Sequence, residues 1–97
     1  MRAIVSVLGK DAKGIIANVS MTLYKQDVNI IDISQTVMQN EYFTMIMLVE
    51  IGEGKTIDDI SKALDVVAKE FKVEIRVQHE DIFNSMHRIW GVQNAKS

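Results

Sequence analysis

The chain has 97 residues, of which 47% are hydrophobic and 25% charged, with a formal net charge of −2. That length fits one small domain with a limited core, and the composition is ordinary for a globular chain. Neither sign of charge dominates and there is no basic run, which argues against nucleic acid as a partner, and the lack of any cysteine excludes disulfides and thiolate metal sites.

Met1 to Val7 holds too short an apolar run for a signal peptide, and no stretch approaches a membrane span, so a cytoplasmic chain with no membrane partner is expected. Ala3 to Leu8 is β-rich and apolar on both parities except at Ser6, the pattern of a central strand. The run breaks at Gly9-Lys10-Asp11-Ala12-Lys13-Gly14. Ile15, Ile16, Val19 and Leu23 then fall at helical spacing in a helix reaching Gln26, with Asp27 ending it. Val28 to Met38 reads as a strand, and Ile30, Ile31 and Ile33 break its period of two, which predicts a bulge near Ile31-Asp32. Asn40-Glu41 reads as a tight hairpin turn.

Tyr42 to Ile51 is the most apolar run, with both parities greasy, and so reads as a central strand covered on both faces. The helices of one small domain supply one cover, so the second face calls for a partner. After the loop Gly52-Glu53-Gly54-Lys55, Thr56 and Asp59 resemble a capping box opening a helix whose stripe is Ile57, Ile60, Leu64, Val67 and Phe71. Val73, Ile75 and Val77 alternate with Glu74, Arg76 and Gln78 as in a half-buried edge strand. From Asp81 to Trp90, Ile82, Phe83, Met86, Ile89 and Trp90 sit at helical spacing, and Gly91 to Ser97 is a polar tail. The order β-α-β-β-α-β plus a terminal helix is that of an α+β, ferredoxin-like sandwich: an antiparallel sheet, helices on one face, first and third strands in the middle. Residues 1–79 form the domain and residues 80–97 the C-terminal helix and tail.

A glycine-bounded loop that feeds a helix start gathers free backbone N–H groups and a positive dipole end, a setting for a carboxylate or phosphate. Around that loop the chain resembles the ACT domain, a small-molecule-sensing module. The resemblance rests on Gly9-Lys10-Asp11, Gly14-Ile15-Ile16, Asn29-Ile30, Asp32-Ile33-Ser34-Gln35 and Tyr42-Phe43-Thr44-Met45, and it covers Arg2 to His79. It is similar to the stand-alone bacterial members with a short C-terminal helix, which are like one half of the glycine-cleavage repressor protein. The resemblance implies an amino acid or similar metabolite held between the first loop and a second subunit. Where the family often has Pro before the loop's last Gly, this chain has Lys13, which leaves the helix start less pre-set and adds a positive charge.

The candidate ligand-binding residues are Asp11, Gly14, Ile15, Asn29 and Asp32. A carboxylate would meet backbone N–H groups around Gly14 and Ile15, and an ammonium would meet Asp11 or the Asn29 amide oxygen. Each has a plainer reading. Asp11 can cap the first helix, Gly14 can supply a positive φ, Asn29 can close a turn, and Asp32 can face solvent. His79-Glu80-Asp81 reads as surface rather than as a metal site, and no cofactor is expected. The leading function is a non-catalytic regulatory module that binds an amino acid as a homodimer. The alternatives are a dimerisation or protein–protein interaction module without a ligand and, further off, an acylphosphatase-like hydrolase. That hydrolase needs a phosphate-gripping Arg in the loop, which offers only Lys10 and Lys13.

Overall fold

In the computed structural model, which describes residues 1–10, 13–38 and 41–81, six elements succeed one another along the chain. They are β1 (Arg2–Gly9), α1 (Ile15–Lys25), β2 (Val28–Met38), β3 (Tyr42–Ile51), α2 (Ile57–Phe71) and β4 (Glu74–His79). The strands form one antiparallel sheet in the order β2-β3-β1-β4, with the first and third strands in the middle as expected. This is the ferredoxin-like βαββαβ arrangement.

Two periodicities build the core. Every second residue of β1 (Ala3, Val5, Val7) and of β3 (Phe43, Met45, Met47, Val49, Ile51) is buried. The helices answer with Ile15, Val19 and Leu23 on α1 and Ile60, Leu64 and Val67 on α2. Among the described residues no polar or charged side chain is buried, so the core needs no polar pairing. The opposite parity of β1 and β3 faces away from the helices, and there Leu8 and Ile46 are 43% and 45% exposed. Among the described residues the helices cover one face of β3.

The helix ends reflect their local chemistry. Thr56 opens α2 with a reciprocal capping box: its hydroxyl accepts the Asp59 N–H at 3.1 Å, and the Asp59 carboxylate accepts the Thr56 N–H at 3.0 Å. Lys72, at φ 56°, closes α2, and Val73 N–H donates to the Ala68 carbonyl at 3.0 Å. The chain then crosses so close to β1 that a Cβ at Gly9 would run into the Val73 side chain. The sheet register slips between Ile30 and Asp32, where the broken period places the bulge. The hairpin turn at Asn40 and, beyond Asp81, the C-terminal helix and tail lie outside the described residues. Among those described, no helix is long and apolar enough to cross a membrane.

Candidate ligand-binding site

At one end of the sheet, β1 runs out at Gly9, opposite Phe43, and the chain re-enters regular structure at Gly14. Gly14 is the N-cap of α1 at φ 78°, a left-handed conformation that costs any residue with a Cβ. Its carbonyl is held twice, by Asn18 N–H at 3.0 Å and by Asn18 Nδ2 at 2.7 Å. The N–H groups from Ile15 onward in the first turn have no intrahelical acceptor. No acidic residue stands in that turn to offset the dipole. The Ile15 side chain is buried in the core, so only its backbone is available to a ligand. Lys10 Nζ lies 6.0 Å from the centre of the Tyr42 ring. Asp11 lies outside the described residues.

The other end of α1 holds the rest of the candidate set. Gln26 N–H closes the helix on the Thr22 and Leu23 carbonyls, both at 3.1 Å, and Asp27 at φ 61° swings the chain into β2. Asn29 borders a small depression of about 190 Å³ with Tyr24, Asp27 and Val28. Asp27 carries its carboxylate against Gly52, where a Cβ would sit 3.2 Å from Oδ2. Asn29 stands opposite Glu50, whose carboxylate binds the amino terminus at 2.8 Å. That hydrogen bond, reinforced by the charges of the amino terminus and Arg2, holds the Glu50 pKa below its usual value. Asp32 comes directly after the bulge, and its Oδ1 accepts the Ile33 N–H at 2.9 Å. Its cross-strand partner is Leu48, which places it on the open sheet face.

Within one chain, Gly14 and Ile15 therefore stand together at one end of α1, and Asn29 and Asp32 lie at the other. The helix between them has 11 residues, or about 16 Å at about 1.5 Å per residue. Tyr24 and Asp27 are additional lining residues that sequence pattern did not single out, although the left-handed turn a helix needs before a strand pointed to Asp27.

A third feature is the open face itself. Cross-strand pairing lines up Ser34, Ile46, Ser6 and Arg76 in one row, with Thr36, Thr44, Leu8 and Glu74 in the next. A broad depression of about 540 Å³ lies over Ser6, Leu8, Thr44, Ile46, Glu74 and Arg76. Ser6, the one polar residue of the apolar run from Ala3 to Leu8, was its only sequence signal. Glu74 and Arg76 form no ion pair among the described residues.

β2 is an edge strand along its whole length. Its Ile33 and Val37 pair with the helix-facing Met47 and Phe43, yet they are 42% and 61% exposed. The helix layer ends short of them. A Cβ at Gly14 would face the Phe71 ring of α2, so Ile16, Ser20 and Tyr24, spaced four apart, line the opposite flank, on the β2 side.

Known proteins carry the same arrangement. The chain is 50% identical over 90 residues to a UPF0237 protein of Clostridium acetobutylicum, covering 92% of this chain and 100% of that one. An ACT domain protein from Streptococcus pneumoniae superposes with a TM-score of 0.76 at 38% identity, covering 86% of this chain and 93% of that one. A structure described as a glycine cleavage system transcriptional repressor shares the fold, with a TM-score of 0.68 at 22% identity over 79% of this chain and 44% of that one. The family model of the ACT domain matches residues 2–78. The chain belongs to the ACT domain family.

Proposed function

We propose that this chain is a non-catalytic regulatory module that binds an amino acid or a similar zwitterionic metabolite across the interface of a homodimer. The observation that carries the reading is the position of the two half-sites. They lie at opposite ends of α1, and α1 borders the β2 edge, which pairs with no further strand among the described residues. Antiparallel pairing of two β2 edges about a two-fold axis turns the partner upside down. Each chain's Gly14 end then meets the Asn29 end of the other. The same pairing covers Ile33 and Val37 and extends the sheet to eight strands.

In such a site the ligand carboxylate sits on the N–H groups at the start of α1, where the dipole favours an anion. Its ammonium faces Asp27 and Asn29 of the second chain, with Asp11 of the first. Tyr24 and the β2 edge form the wall that meets the ligand's side chain. Nothing in this arrangement pairs a nucleophile with a base, and the expected output is a change in dimer stability rather than turnover. A thermal-shift screen against the proteinogenic amino acids tests the reading. Mass action raises the melting temperature for a ligand of the folded dimer. A flat response across the screen would leave a dimerisation module without a ligand.

A further inference from the structure

We propose that the open sheet face binds a second kind of small molecule, a zwitterion of dipeptide length with an apolar side chain, held between Glu74 and Arg76 of β4. The first observation is how that face is built. Cross-strand pairing sets Ile46, Ser6 and Arg76 side by side in one row and Thr44, Leu8 and Glu74 in the next. The depression of about 540 Å³ covers both rows, and pockets of about 300–1,000 Å³ hold small ligands. Leu8 and Ile46, both exposed, form an apolar floor. One anion and one cation stand along its β4 side. The second observation is that these polar groups are unused within the chain. Among the described residues the side chains of Ser6, Thr44, Glu74 and Arg76 make no hydrogen bond. Glu74 and Arg76 make no ion pair either.

The spacing of the two charges selects the ligand. Glu74 and Arg76 leave the same face of one strand two residues apart, about 6.7 Å along the chain. An extended dipeptide covers the same two residues of chain, so its ammonium reaches Glu74 when its carboxylate reaches Arg76. An α-amino acid carries both charges on a single carbon, a shorter separation, which sets this ligand apart from the one proposed at the ends of α1. The Ser6 hydroxyl, beside Arg76 in its row, donates a second hydrogen bond to the carboxylate. A side chain turned toward the sheet lies over Leu8 and Ile46 and leaves water there. A simple anion gains Arg76 but is repelled by Glu74, and a simple cation meets the reverse. The pair therefore favours a molecule that carries both charges. This site stands whether or not an amino acid binds at α1.

Leucyl-leucine is the probe. In heteronuclear NMR of the full chain, the backbone signals of Ser6, Leu8, Ile46 and Glu74 should move on titration while those of Gly14 and Asn29 stay in place. N-acetyl-leucyl-leucine and leucyl-leucine amide each lack one charge, and each should bind about tenfold more weakly. Arg76→Gln and Glu74→Gln should weaken binding of the unblocked dipeptide by a similar factor. Both side chains are exposed, so the melting temperature of either variant should match that of the parent. Arg76→Gln should also erase the preference for a free carboxylate and keep the preference for a free ammonium, which assigns the two ends. Open-face signals that stay still at millimolar dipeptide, or signals that move at Gly14 or Asn29 instead, would overturn the proposal. Equal binding of the blocked and unblocked peptides, or binding that Arg76→Gln leaves unchanged, would overturn it as well.

Discussion

Gly14 and Asn29 flank α1 from opposite ends, one fixing its start at φ 78° and the other opening onto the depression beyond its last turn. In one chain they are held apart by the helix. In the proposed two-fold pair joined at β2, the Gly14 end of each chain would meet the Asn29 end of the other. That separation underlies most of the behaviour expected of this protein.

The β2 edge is the first place to test. Ile33 and Val37 point to the helix side of the sheet and remain exposed, so a lysine at each puts charge where a partner strand and helix would pack. Charged edge residues are the usual way a sheet refuses a second strand. Ile33→Lys with Val37→Lys should give a folded monomer by sedimentation, with its circular dichroism spectrum retained and its thermal response to amino acids lost. An unchanged dimer would contradict pairing through β2.

Gly14 answers a separate question. A side chain there would touch the Phe71 ring at an ordinary distance of 3.5 Å, so space is not the obstacle. The obstacle is the left-handed backbone, worth about 1–2 kcal/mol for an ordinary residue. Gly14→Ala should therefore lower the melting temperature by several degrees, at about 4–8 °C per kcal/mol. Gly14→Asn, with a side chain that tolerates this conformation, should lose less. Equal melting temperatures for all three chains would show that the loop relaxes freely.

The α2 cap should write itself into the pH dependence. The Thr56 N–H bond to the Asp59 carboxylate, with a smaller contribution from the Thr56 hydroxyl, holds the Asp59 pKa below its ordinary 3.8. A lowered folded-state pKa means that the stabilisation is complete above the ordinary value and is lost as pH falls through the folded one. The urea midpoint of the parent chain should exceed that of Asp59→Asn at about pH 6, and the two should converge as pH falls through the folded-state value. A difference that stays constant with pH would show that the carboxylate's charge contributes nothing to the cap. Thr56→Ala should cost about 0.5–2 kcal/mol at neutral pH.

Much of the fold was legible because short-range chemistry decides it. The interrupted period of Ile30, Ile31 and Ile33 located the bulge, and Thr56 with Asp59 announced the capping box. The two-parity apolar runs of β1 and β3 marked the central strands. The candidate site was less legible. Asp11, Gly14, Asn29 and Asp32 are polar or glycine residues near turns, but sequence does not show which end of the sheet each one reaches. That depends on α1 carrying the chain back to the starting end of β1 before β2 begins, so the loop and the strand start separate by a helix length. Nor did the apolar run of β3 say that Met47 is buried under the helices while Ile46 lies open. Only the register with β1 decides that.

The most direct test of the shared site is complementation between two defective chains. Asp11→Asn and Asn29→Ala should each weaken binding of the amino acid with the largest thermal shift, by roughly tenfold or more for the lost charge-assisted contact at Asp11. A dimer built from one chain of each kind has one site with both defects and one with neither. Co-refolding the two variants in equal amounts makes half of the dimers mixed, so calorimetric titration should recover parent-like affinity in roughly one site in four. Recovery of that fraction is the predicted result. No recovery, with each variant alone still dimeric, would place Asp11 and Asn29 in the same site of a single chain and contradict binding across the interface.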